Sequence, residues 1–567
     1  MSTLFNFQLS IRNHLSEAYK KNIEEHNKEV KKNRKILNII LDTVLLCGRL
    51  DLSLRGHDES DESANPGVFR SLLEFAASLD EDMLQRAIKM HSKTIQDEVL
   101  FSCLSVYKSL IKKEILNASF VSILADDTTD FSESVQTVIV FRYLVKDEVK
   151  ERFWGFFKPE NQKASGIADC ILSELDSILG NDVNKLVCQT YDGASVMSGK
   201  NQGVQAKIQQ KYHCAWFVHC HAHQVNLIVS NACNCNKGAR IFFSNVEGLT
   251  NYFSKSPQRL NVLLDSSSDR LPRNSGTRWN FKHRSISKIK ENFDSIVLVL
   301  TKLETGNFSK ETVSRASGFL KIVQSGEFKF WLNLFYHVLY AVNIFFLQMQ
   351  KLNLTVDETK TSIDNFKSQM QLIRNSDKTF SEISTLNQQA KEVLDTIMVR
   401  VSSRFKFTGH LLIHQLFDQE KFSLYIVDFP NNLVSSVKTA YPFVNTERLV
   451  SELNVFYPRL DIPSFNNSKE LLSVLLNNNL DIIFVEITKV LKIINTIPLT
   501  TCTGERCFST LRRIKDYLRN TLSQKKLNSL AALSCNKKIT EEFPSFKDEV
   551  INNFIKSKNR KLKLNYK

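Results

Sequence analysis

Three carboxylates, Asp126, Asp192 and Glu505, are the residues of this chain whose types and settings could do chemistry together. The first belongs to ADDTTDFSES, where Asp126, Asp127 and Asp130 follow a short apolar run, residues 120–124. The second follows another apolar run, LVCQTY, residues 186–191. A carboxylate at the C-terminal end of a buried strand is fixed by the strand, while the turn after it leaves the side chain open to solvent and substrate. Glu505 lies in TCTGERCFSTLRR, where Gly504 and the polar residues before it suit the start of a helix. Three acidic groups converging on one pocket repel each other unless cations compensate. Two divalent ions roughly 3.5–4 Å apart would balance them and clamp the attacking and leaving oxygens of a phosphodiester. That chemistry is phosphoryl transfer, which needs little beyond the acids and a basic track for a polyanion. Taken singly, each residue has a plainer reading: acidic turns are usually solvated caps, and a glutamate in a first helical turn favours the helix dipole.

Two further constellations stand beside the acids. His213, Cys214, His219, Cys220, His221, His223, Cys233 and Cys235 are dense in zinc-ligand types, and Cys220-x-x-His223 has a pair spacing. A closed zinc site shows two well-separated pairs in a small loop. Here the same types fall across an expected strand and helix, so the cluster reads as packing beside a sheet and zinc is not expected. The segment SGTRWNFKHR, residues 275–284, is a basic-aromatic turn, and a surface loop with a packing tryptophan is its ordinary reading.

The elements that must position these groups follow from the pattern along the chain. With 567 residues, 42% hydrophobic and 24% charged, the chain is an ordinary globular one, long enough for on the order of three or four domains. Its formal charge of +15 is uneven: residues 488–567 hold eighteen Lys/Arg against six Asp/Glu. A concentrated basic surface favours a polyanion, most often nucleic acid. Eleven scattered cysteines without a framework spacing point to a reducing compartment. The first residues lack a signal-peptide layout. Residues 330–347 have the length of a membrane span, but Asn333, His337 and Asn343 interrupt them, and a buried helix is expected instead.

Residues 1–115 read as a helical N-terminal region. Strands at 120–124, 136–145 and 151–158, a helix at 164–179, a strand at 186–191, a helix at 202–212, a strand at 215–219 and a helix at 222–232 then alternate. That order belongs to a mixed sheet with helices on its faces, and chemistry in such sheets sits at strand ends near the topological switch. From 245 to 480 helical spacing takes over, with long segments at 285–303, 311–352, 357–375 and 381–405, which read as an all-α insertion. Cys507, Leu511, Ile514 and Leu518 then make one apolar helical stripe, with Glu505, Ser509 and Arg512 on another face. Leu522, Leu527, Leu530 and Leu533 continue an apolar surface for internal packing or for a second subunit.

ADDTTDFSES followed by VFRYLV, then YDGASVMSG, HCHAHQVNLIV, TRWN and TGERCFSTLRRIKDYLRNTL resembles, in this order, the hAT-superfamily transposases, closest to the zinc-finger MYM-type-like branch. The likeness runs from about residue 33 to 536. It implies an α/β fold, an RNase H-like mixed-sheet core (116–244) interrupted by an all-α insertion (245–480). The core is completed by a hAT dimerisation region (481–540), which a basic tail (541–567) follows. It implies Asp126, Asp192 and Glu505 as a catalytic triad holding two Mg²⁺ or Mn²⁺ ions, with Asp127 a one-residue alternative to Asp126. Cys220 and His223 match the family's C-x-x-H pair. Trp279 would stack on an unpaired base, and Arg278, Arg506, Arg512 and Arg513 would contact DNA. A transposase of this type is expected to cut and join DNA as a homodimer or higher oligomer in the nucleus, with no membrane or small-molecule substrate. The alternative is a domesticated, non-catalytic nuclear protein that uses the core for dimerisation and chromatin-linked binding. Such transposases usually begin with a zinc-binding DNA module, and no such Cys/His framework precedes Phe120 in the sequence, so site-specific recognition of transposon ends is not expected from these residues.

Overall fold

Residues 135–145, VQTVIVFRYLV, carry β-branched or aromatic side chains at most positions and build the strand on which the first part of the molecule is laid out. This strand, β2 (Val135–Val145), pairs antiparallel with β1 (Val121–Thr129) on one side and with β3 (Glu148–Phe157) on the other. Both faces of β2 are buried, which explains why its sequence lacks a polar alternation. A register shift at Ile139/Val140 marks a bulge against β3. β1 runs past the expected end at residue 124, so Asp126 stands within the strand, opposite Val138, and not at its end.

The computed structural model describes the chain except residues 1, 57–62, 64, 79–91, 267–269, 273–278, 352–353, 377–383, 517–518, 520, 559, 561 and 567, and except the side chains of 2–16, 77, 279–281 and 384. The chain divides into two compact units. The first comprises Met1–Leu186, Gln202–Lys211 and Thr503–Lys567. Besides β1–β3 it holds α1 (Ser2–Arg49), α2 (Val68–Ser78), α3 (Lys93–Asn117), α4 (Ala164–Leu179), α5 (Val204–Lys211), α6 (Cys502–Ile514, from Thr503 onward), α7 (Gln524–Cys535) and α8 (Phe546–Lys556).

Helix α7 covers the open edge of β3. Asn528 Oδ1 accepts from the Phe156 N–H at 2.7 Å and its amide donates to the Phe156 carbonyl at 2.9 Å, as a neighbouring strand would. Leu527, Leu530 and Leu533 are buried within this unit. The segment expected as a basic tail contains α8, which buries Phe546, Val550, Ile551 and Phe554 and packs on α3. Beyond it, the Lys563 and Leu564 carbonyls accept from Asn33 and Arg34 of α1. Much of the C-terminal positive charge is paired here: Lys526 with Asp97 (2.7 Å), Lys547 with Asp42 (2.5 Å), Arg560 with Glu98 (2.6 Å) and Lys563 with Glu29 (2.7 Å).

The carbonyl of Lys185, in the first unit, accepts from the Val121 N–H at 2.9 Å. The second unit, Val187–Asn201 and Tyr212–Cys502, holds a parallel pair, β4 (Leu186–Tyr191) and β5 (Trp216–His219), with Tyr191 opposite His219. Antiparallel pairing in β1–β3 and parallel pairing in β4–β5 make the fold a mixed α/β one with large helical content. The helix His221–Cys233 follows β5 directly, and the remainder of this unit is helical. Two of the long helices read from the sequence are broken: Trp279–Glu291 stops before Phe293–Thr305, and Lys310–Gln324 before Gly326–Met349. At the second break Ser325 turns the chain, its hydroxyl capping the Phe328 N–H at 3.2 Å. Gly326–Met349 is long and apolar enough to span a membrane, yet 61% of its most apolar window is buried inside the protein.

Candidate active site

Helix α6, which carries Glu505, is fastened to the β1–β3 sheet at both ends. At its start the Thr503 hydroxyl donates to Glu151 of β3. Glu151 is held by Arg142, its cross-strand partner on β2, at 2.8 Å, with both side chains buried. At the other end Lys515 Nζ lies 2.6 Å from Asp130 Oδ2 and also donates to Ser132 Oγ. Burial alone would raise the Asp130 carboxyl. Hydrogen bonds from Lys515, Ser132 and Gln136 more than offset it and hold the group down at about 2. Asp130 therefore closes the β1–β2 turn and anchors α6.

Between these anchors α6 lies close against the sheet at Gly504. A Cβ on Gly504 would stand 3.3 Å from Val138 Cγ1 and 3.6 Å from Asp126 Cβ. Residue 504 is thus in near contact with Asp126, and Glu505 follows in the first helical turn. Cys507, Leu511 and Ile514 form the buried stripe expected of this helix, and Phe508 stacks on Phe156 of β3. Leu518 lies outside the described residues. Asp127 faces the opposite side of β1. It stands near Cys170 on α4, whose thiol is pushed up to about 11 by burial and by the charges of Glu174 and Asp127. The first unit thus sets Gly504, the residue before Glu505, against Asp126 and turns Asp127 away.

Asp192 belongs to the second unit, one residue past β4, where its Oδ1 accepts from the Ala194 N–H at 3.2 Å. The next residue, Gly193, lies under the His219 ring: a Cβ there would fall 2.4 Å from His219 Nε2. That nitrogen is buried without a hydrogen-bond partner among the described residues. Burial, with the positive potential of His223 and Arg404, lowers His219 to about 4, so the ring is neutral at physiological pH. Sequence reading missed this contact, and only the step from β5 into HCHAHQ hinted at it.

In the Cys/His cluster, Cys220 Sγ accepts from the Thr501 N–H at 3.2 Å, and His221 is buried edge-on against Phe405. The His223 ring lies tilted beside that of His219, centroids 5.6 Å apart. Among the described residues no three His, Cys, Asp or Glu side chains stand in a group that would hold a metal ion. Of the expected DNA contacts, Arg506 and Arg512 are exposed on α6, and Arg513 is tied to Asp51 at 2.7 Å. Arg278 and the side chain of Trp279 lie outside the described residues.

Comparison with known families places these residues. Residues 6–203, which contain Asp126 and Asp192, match the family described as "ZMYM1/FAM200, RNase-like domain", and residues 476–539, which contain Glu505, match the "hAT family C-terminal dimerisation region". These two regions are of hAT-derived, transposase-like kind. The chain is similar to the 52 kDa repressor of the inhibitor of the protein kinase of Homo sapiens, 24% identical over 294 residues, 48% of this chain and 38% of that protein. The Mus musculus protein of the same name is 24% identical over 295 residues, with the same coverage. The match therefore spans well under half the length of either relative. Of the two matched regions, the RNase-like one contains Asp126 on β1 and the hAT dimerisation one contains α6 with Glu505.

Proposed function

We propose that this chain is the core of a hAT-type DNA strand transferase, in which Asp126, Asp192 and Glu505 act as one acidic site on a phosphodiester. The observation that supports the reading is the near contact of Gly504, the residue before Glu505, with Asp126, 378 residues away in sequence. An all-oxygen donor set of this kind suits Mg²⁺ or Mn²⁺ better than zinc. When bound, two such ions would neutralise the carboxylates and the charge that develops on the transferring phosphate.

The protein's own part is positioning. The Thr503–Glu151–Arg142 chain and the Lys515–Asp130 pair fix the pitch of α6, so that Glu505 is presented from a rigid helix. Arg506 and Arg512, exposed on that helix, would meet the DNA backbone, where arginine pairs with phosphate oxygens in a fixed fork. Arg278 and Trp279 are proposed to hold phosphate and an unpaired base. DNA as substrate goes with a nuclear location, and the dimerisation region goes with homo-oligomerisation.

The test is Mg²⁺- or Mn²⁺-dependent nicking of DNA by the purified chain, compared with Asp192→Asn. Cleavage by the unmodified chain that falls at least about a hundredfold in the variant, the loss of one transition-state contact, supports the reading. Equal cleavage by both, or none by either, moves the assignment to the second reading. That reading is a hAT-derived nuclear protein that binds and dimerises without cutting. It is favoured by one observation, that no three ligand-type side chains gather into an ion-holding group among the described residues. The repressor named among the relatives fits it as well.

A further inference from the structure

Two thiols meet between α6 and α7. Cys507 belongs to the buried apolar stripe of α6 and is 2% exposed. Cys535 is the last residue of α7 and is half-buried. Its thiol donates to Cys507 Sγ across 3.6 Å, and both cysteines are free. The surroundings hold the two sulfurs in this relation. Leu511 and Ile514 bury the rest of the α6 stripe, and Leu530 and Leu533 are buried on α7. Next to Cys535, the Asn536 amide donates to the Tyr107 hydroxyl at 2.6 Å, and that hydroxyl donates to the Phe153 carbonyl of β3. The end of α7 is thus tied through α3 to the sheet on which α6 lies.

A disulfide holds its sulfurs about 2.05 Å apart, so this pair has to close by about 1.5 Å, a shift within the range of one side-chain rotation. A half-buried thiol backed by a second, buried one is the arrangement of a redox-responsive pair, in which the first meets the oxidant and the second resolves the product. We infer that Cys507 and Cys535 are a site of reversible oxidative modification, joined into a disulfide by a peroxide and parted by a dithiol reductant. Cys535, as thiolate, attacks one peroxide oxygen; the O–O bond breaks, leaving a sulfenic acid on Cys535 and a hydroxide. Cys507 Sγ then attacks the Cys535 sulfur, the S–O bond breaks, and the departing hydroxide leaves as water with the Cys507 proton. The two sulfurs together give up two electrons, which reduce one peroxide to two waters, the proton first shed by Cys535 included. A dithiol restores both thiols by exchange. The bond ties α6 to α7 and closes a loop over residues 507–535, which limits the unfolded chain and makes the oxidised fold the more stable one. Glu505 sits on the same helix, so the bond also fixes the proposed third acid. That last consequence rests on the catalytic reading; the bond itself does not.

Peptide mapping by mass spectrometry tests the inference, after the folded full chain meets hydrogen peroxide in native buffer, with a thermal melt of each sample. Four proteins are compared: the unmodified chain, Cys507→Ser, Cys535→Ser, and the control Cys170→Ser, a half-buried cysteine on α4. The expected result is a linked pair of peptides holding Cys507 and Cys535 in the unmodified chain and the control, and none in the other two. The melting temperature should rise on oxidation in the first two alone and return with dithiothreitol. No linked pair in the unmodified chain, or a Cys535 that links as readily to other cysteines, overturns the inference. A linked pair that leaves the melt unchanged overturns the tie between the helices. Should Cys507→Ser fail to fold, Cys535→Ser, altered at a half-buried helix end, decides: a rise in melting that persists in it counts against the pair. No step involves DNA or a metal ion, so a failure here is separate from a failure of the catalytic reading.

Discussion

Gly504 lies against Asp126 so closely that a Cβ at residue 504 would come within 3.6 Å of the aspartate's own Cβ. The glycine lets α6 lie on β1 and β2 at the level of the acid. An added methyl meets Asp126 at contact distance and Val138 slightly inside it, so that the Val138 side chain must give by a few tenths of an ångström, whereas a longer side chain must lift the helix. Gly504→Ala is therefore expected to keep stability within about 1 kcal/mol, as alanine suits a helix interior better than glycine. Gly504→Leu is expected to cost about 1–3 kcal/mol through overpacking and to abolish any cleavage that depends on Glu505. Thermal melts beside the nicking assay check both halves. Equal behaviour of Ala and Leu would mean that the approach does not matter.

A second glycine makes a sharper case. Gly193 sits under the His219 ring at distances that no Cβ tolerates, since the nearest ring atom would be 2.3 Å away. Gly193→Ala should lower the melting temperature by an amount corresponding to about 1–3 kcal/mol. His219→Ala in the same chain should return most of it, because the obstacle is the imidazole. If the double variant melts no higher than Gly193→Ala alone, the ring is not what the glycine accommodates.

The same histidines give a pH dependence with a definite sign. Burial lowers His219 to about 4 and His221 to about 3, below the value near 6.5 that histidine has in an unfolded chain. Between those limits the unfolded chain takes up protons that the folded chain refuses, so stability should fall as pH drops from 6.5 towards 4. Melting curves at pH 7 and pH 5 should therefore differ, and His221→Gln should narrow the gap. A gap left unchanged would remove His221 from the account.

Much of the frame was legible in the sequence. The helix at 164–179 and the strand at 186–191 are found where their apolar spacing put them, because the helix packs one continuous face and the strand is buried along its whole length. Other features depended on partners too distant to read. Asp126 was expected at a strand end, but pairing with Val138 and its neighbours carries β1 on to Thr129. Apolar spacing runs on through Asn292 and Ser325, so the breaks there are visible only in the caps. The C-terminal lysines and arginines read as one basic surface, yet their acids lie more than 400 residues away, on α1 and α3.

Lys515 is the clearest of these hidden partners. It and Asp130 are both almost fully buried, so Lys515→Met would strand a carboxylate inside the protein, at a cost of about 3–5 kcal/mol. Asp130→Asn together with Lys515→Met should cost less than Lys515→Met alone. The pair also carries an acid limit. With Asp130 held at about 2 in the folded chain and near 3.9 unfolded, its contribution is complete above pH 4 and is lost as pH falls towards 2. Melting curves between pH 5 and pH 2, for the unmodified chain and the double variant, would expose that loss.

Titration of Mn²⁺ into the purified chain, read by calorimetry, bears most directly on whether Asp126, Asp192 and Glu505 share their ions. The expected result is two bound ions in the unmodified chain, with Asp126→Asn, Asp192→Asn and Glu505→Gln each weakening the binding by a similar factor. No binding at all, or binding that Asp192→Asn leaves untouched, would contradict a common site.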